Sequence, residues 1–213
     1  MLVGHIRYAL VQVQELQQKI LEKQRFKGYS GRARAIAGTI AFLAAAILAS
    51  PYYPRTVVAH ILGWGIVFML ALILNFGAML YWFLFDPAAK RDFRRLKPII
   101  DAFPPLFVGA VLTYTMIRHG SHQYLFGIWM CLFGLTNLAM RHVLPRRIWL
   151  LGLSYILCGA ICLVIPVSFL NPWPMGITFL IGEWAAGFIL HFDDMASASF
   201  KSFLKEGTHV EIG

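Results

Sequence analysis

The sequence predicts an all-α, polytopic membrane protein with six transmembrane helices, arranged as three helical hairpins in series behind an amphipathic N-terminal helix. Composition, the spacing of apolar runs and the placement of basic residues carry that prediction. Of 213 residues, 59% are apolar and 14% are charged, with a mean hydropathy of +0.66. Ordinary globular domains carry roughly a quarter charged residues. A soluble chain of this length cannot hide so much apolar surface, so the expected solvent is lipid.

Residues 1–34 form the expected cytoplasmic or interfacial segment. Val3, Ile6, Leu10, Val13 and Ile20 recur at helical spacing among five glutamines, which makes one apolar stripe on a helix. Such a helix lies on a membrane surface, pairs with a partner protein or self-associates. Gly28, Ser30 and Gly31 then interrupt it.

Six apolar runs follow within residues 35–192, at 35–52, 57–85, 99–117, 122–141, 148–167 and 173–192. Each is near the 20 or so residues needed to cross about 30 Å of hydrocarbon. Pro51 and Pro54, Gly120, and the run Asn171-Pro172-Trp173-Pro174 mark three short turns on one side. The tail, residues 193–213, is expected to be a short interfacial foot or a disordered end.

Orientation follows from the 19 Lys and Arg residues, which give a net charge of +9 against 10 acids. With the N-terminus inside, 17 basic residues fall in residues 1–34, 86–98, 141–147 and 193–213, and the outer turns carry only Arg55 and Arg118. That asymmetry satisfies the positive-inside rule and places both termini in the cytoplasm of an inner (plasma) membrane. The basic segments would contact an anionic inner leaflet. With no recognition module in the chain, nucleic acid is not an expected partner.

Gly38 and Gly63, and Gly109 and Gly134, are each 25 residues apart, and Gly159 and Gly182 are 23 apart, as a repeated hairpin would require. The stretch Trp149-Leu150-Leu151-Gly152, with Gly159, Pro166 and the glycine-marked sixth run, resembles small six-helix bacterial membrane proteins of the HdeD acid-resistance type. The resemblance covers roughly residues 35–192. It implies a bacterial, stress-linked, non-enzymatic membrane protein and offers no catalytic residues. The Gln-rich N-terminal segment and the charged loop 86–98 depart from that pattern.

Among polar groups at membrane depth, Glu183 is the sharpest candidate. Gly176, Phe179, Ala186, Gly187 and Leu190 share its helix face, so it should point into the bundle. With no Lys or Arg in the interior of any expected span, the carboxyl is expected to keep its proton. It then serves either as a neutral hydrogen-bonding acid or as a proton-coupling site. Asn75 and Asn137 read most simply as interhelical hydrogen-bonding groups, with a proton or ligand contact beside Glu183 as the sharper alternative. His60, His119 and His122 come to the outer side, where solvated histidines are the simpler reading and a haem or metal ligand set the sharper one. His191 with Asp193 and Asp194 closes the sixth run at the inner side, as a solvated end or a pH-sensing pair. Cys131, Cys158 and Cys162 all lie in apolar runs and read as packing residues.

No cofactor is strongly implied. The sequence lacks a His-Glu-x-x-His helix, a Gly-x-Ser-x-Gly elbow, a P-loop and a dinucleotide fingerprint, so catalysis is not expected. A non-catalytic role in stress response, assembly or partner anchoring is the first expectation, with residues 1–30 as the docking segment. A small transporter or channel using Glu183 is the alternative.

Overall fold

A computed structural model describes residues 12–13, 31–85, 97–140, 145, 147–165 and 167–207, except for the side chains of 78, 79, 82, 97–99, 101 and 193–207. All regular structure among them is helical. The helices are α1 (Gly31–Leu48), α2 (Val57–Phe85), α3 (Lys97–Arg118), α4 (Leu125–Ala139), α5 (Ile148–Val164) and α6 (Trp173–Gly207), with a 3-10 turn at His122–Tyr124 before α4. The expected N-terminal amphipathic helix and most of loop 86–98 lie outside the described residues.

Three segments are long and apolar enough to cross a membrane: Gly31–Leu48, Val57–Gly77 within α2, and Trp173–Phe192 within α6. Ala102–Arg118 and Ile148–Val164 are shorter apolar helices, and α4 has 15 residues. Two boundaries differ from expectation. The first helix already includes Gly31–Arg34, ahead of the apolar run, and that turn packs on α6. The last helix continues past Phe192 to Gly207 instead of stopping at a foot, since nothing from 193 to 206 breaks it. Its 35 residues span about 52 Å, beyond any hydrocarbon core.

The turns follow from local chemistry. Gly120 adopts φ 67° after α3, and the amides of Gly120 and Ser121 bond back to the carbonyls of Ile117 and Met116 at 3.2 and 2.8 Å. This is the left-handed close that glycine permits at a helix C-terminus. The Thr56 hydroxyl caps α2 by accepting the Ala59 amide at 3.2 Å. At α6, Asn171 Oδ1 accepts the Trp173 amide at 3.4 Å, and Pro174 occupies the first turn, where its missing N–H costs nothing.

In packing order, neighbouring helices run α2, α1, α6, α5, α4, α3. The closest partners are α1 with α6 and α4 with α5, so two of the tightest seams join different sequence hairpins. Among the described residues, α2 and α3 form no comparable seam. In α1, α4 and α5 the small residues of these seams are seven apart, a period that holds one face toward a partner. In α4 and α5, Gly127 faces Gly159 and Gly134 faces Gly152. A Cβ on Gly134 would stand 2.6 Å from the Gly152 carbonyl oxygen, and one on Gly159 would stand 2.7 Å from that of Gly127. In α1 and α6, Gly31 faces Gly187, Gly38 faces Phe179 and Glu183, and Ala45 meets Gly176. Thr39 and Trp184 add a hydrogen bond of 3.0 Å to this seam.

Two apolar clusters close the bundle above and below its middle. One, at the end that carries the His122 turn, contains Leu125, Phe126, Met130 and Phe169. The other, at the opposite end, contains Ala102, Met140, Ile148, Ala186 and Leu190, with Phe76 of α2 packed against it. The outer faces are also apolar, with Val58, Leu62, Ile66 and Ile73 of α2 more than half exposed.

The Gly134→Leu variant is expected to lose at least about 1–3 kcal/mol of stability, since two backbones must separate to admit the side chain. Gly65 has nothing within 4 Å of its absent Cβ. Gly65→Ala should therefore be neutral or gain up to about 1 kcal/mol from helix propensity. Thermal unfolding of the detergent-solubilised variants distinguishes the two.

Candidate functional site

Close approach of α1 and α6 determines where their polar side chains can go. The contacts Gly31–Gly187 and Gly38–Glu183 bracket Arg34, so its Cα lies level with the turn that contains Glu183. Arg34 and Glu183 are 2% and 3% exposed. Arg34 Nε donates to Glu183 Oε2 at 2.8 Å and Nη2 donates to Oε1 at 2.7 Å, the bidentate geometry that matches a planar guanidinium to a carboxylate.

This corrects the expectation that no cation lies within reach of Glu183. Arg34 sits before the apolar run by sequence, but the helix begins earlier and draws it inside. The carboxyl expected to be unpaired has a guanidinium partner at 2.7 Å.

Two further helices complete the cluster. Tyr155 of α5, 1% exposed, donates its hydroxyl to Glu183 Oε1 at 3.1 Å. Asn137 of α4, 4% exposed, accepts Arg34 Nη2 at 3.2 Å through Oδ1 and donates Nδ2 to the Phe133 carbonyl at 2.9 Å. The Arg34 guanidinium carbon lies 5.8 Å from the centroid of the Phe133 ring, within cation–π range. Phe133, Tyr155 and Phe179 form a triangle of rings with centroids 4.9, 5.0 and 5.2 Å apart. Four helices thus meet around one ion pair, with aromatic faces against it and an apolar cluster at either end.

The expected role of Asn137 between helices holds. Asn75 differs: its amide donates to the Ala71 carbonyl at 2.9 Å within its own helix. Sequence reasoning overlooked Tyr155, which hydropathy does not distinguish from its apolar neighbours. The signal that could have found it is Gly182 in α6, the notch that admits the Tyr155 hydroxyl.

The histidines do not assemble into a ligand set. Among the described residues no three His, Cys, Asp or Glu side chains are placed to hold a metal together. His60 is fully buried, His122 is half-buried with its ring 6.0 Å from Phe169, and His119 is exposed. His191 is exposed beside Phe192, and the side chains of Asp193 and Asp194 lie outside the described residues. Cys131 fills the notch at Gly159 and donates to the Ile156 carbonyl at 3.7 Å.

No protein-family model, curated protein or solved structure matches this chain.

Removing one member of the ion pair strands the other in an apolar interior. Glu183→Leu and Arg34→Met are each expected to cost about 3–5 kcal/mol. The double variant should cost far less than their sum, because neither charge remains. Tyr155→Phe should lose about 1 kcal/mol. A double-mutant cycle measured by thermal unfolding checks all three.

Proposed function

We propose that this chain is a multi-pass protein of a bacterial inner membrane, with six spans and both termini in the cytoplasm, acting as a non-catalytic anchor in assembly or stress response. The observation that supports this most is the closure of the Arg34–Glu183–Tyr155–Asn137 cluster. Its carboxylate oxygens are bonded, its four side chains are 1–4% exposed, and apolar layers lie on both sides. A polar core of that kind ties four helices together. The apolar outer faces fit a lipid surround, and the basic inner segments fit an anionic leaflet. A rigid anchor leaves binding to residues 1–30 and to the basic loop 86–98.

A second reading, a small proton-linked transporter or channel, is favoured by one feature. A carboxylate and a guanidinium at this depth are expensive, and intramembrane ionisable groups are retained mostly where they work. In that reading the cluster is a closed gate and Glu183 is the group that releases it.

Two measurements separate the readings. Deleting residues 1–30 should abolish cross-linking to the partner in intact cells while the purified bundle keeps its unfolding temperature; unchanged cross-linking would sink the anchoring role. Proteoliposomes carrying the wild type or Glu183→Gln should show the same proton leak as empty vesicles. Flux in the wild type that the variant loses would favour the transporter.

A further inference from the structure

At the His122 end of the bundle, away from the ion pair, α2 buries two polar atoms that no described residue satisfies. His60 is 0% exposed. Its Nδ1 lies 3.1 Å from the Thr56 carbonyl oxygen, which can only accept, so Nδ1 carries the hydrogen. The neutral ring then presents Nε2 as a bare acceptor, and Nε2 is buried without a partner. One turn further along, the indole Nε1–H of Trp64 is buried without a partner too. Of the neighbouring hydroxyls, Tyr53 donates to the Ala59 carbonyl at 2.8 Å and Thr56 accepts the Ala59 amide at 3.2 Å.

The two atoms are complementary, one acceptor and one donor, on residues four apart and therefore on one helix face. They border the same aromatic wall. The His60 ring lies 6.4 Å from Phe169 and the Trp64 ring 5.8 Å from Phe126, and those two phenyl rings lie 4.9 Å from each other. Tyr53 covers the His60 ring edge-on at 5.5 Å. Buried polar groups left unmade are costly and rare, and two of opposite sense one turn apart call for one small group that both donates and accepts.

We propose that His60 and Trp64 form a binding site for a single hydroxyl group, which accepts the Trp64 indole hydrogen and donates its own hydrogen to His60 Nε2. Water is the smallest such ligand. The hydroxyl of an amphiphile inserted between the aromatic rings has the same chemistry. A carbonyl or ether cannot serve, having no hydrogen for His60, and an ammonium cannot, having no lone pair for Trp64.

Full-length His60→Leu, Trp64→Phe and the double variant are compared by thermal unfolding in mild detergent. With the hydroxyl in place, each single change strands it, so each lowers the Tm, and the double variant falls little below the worse single. If the two nitrogens have no ligand, each substitution removes an unsatisfied polar atom, and each raises the Tm additively; that result overturns the site. Native mass spectrometry separates the two sources. An extra organic mass per chain, lost in His60→Leu, assigns the hydroxyl to an amphiphile, and a bare chain with coupled unfolding assigns it to water. Should His60→Leu not fold, the ultraviolet resonance Raman difference between wild type and Trp64→Phe decides. An indole N–H band at its hydrogen-bonded position supports the site, and one at the free position overturns it.

Discussion

The ion pair between Arg34 and Glu183 sets the terms for the rest of the bundle. Two unit charges in an apolar interior hold only if they meet each other at hydrogen-bond distance and their remaining bonds are met nearby. The first condition requires α1 and α6 to approach until Gly31 touches Gly187. The second requires α4 and α5 to deliver Asn137 and Tyr155 to the same depth. The small residues of the two seams and the aromatic triangle around Phe133 are the steric means by which both conditions are met.

This division of labour explains why the helices do not pair simply as sequence hairpins. Backbone-to-backbone packing welds α1 to α6 and α4 to α5, and the polar cluster with its aromatic neighbours ties one welded pair to the other. Packing through glycine carbonyls tolerates almost no added volume, and the bonds of Arg34 and Glu183 lie where the two pairs meet.

Polar groups in this chain are handled in three ways, each dictated by what surrounds them. Asn75 and Thr39 bond the carbonyl one turn back on their own helices, which needs no neighbour. The ionised pair recruits neutral partners from two other helices. His60 and Trp64 sit against rings that supply area but no hydrogen bonds, so protein groups leave them incomplete.

Much of this was determined by the sequence alone. Apolar runs between proline, glycine and asparagine turns set the helices, because backbone groups that cannot reach water must bond within the segment. The small residues three and four positions from Glu183 placed its carboxylate toward the interior, since helical periodicity is a local property. The partner of that carboxylate was decided by tertiary structure. Arg34 is 149 residues away in the chain, and in sequence it belongs to a basic stretch outside the first apolar run. It lies within α1, and the close contact of Gly31 with Gly187 sets it against α6. The seam order and the meeting of Tyr155 with Glu183 were likewise beyond local reading, because long-range packing chooses between faces that hydropathy scores alike.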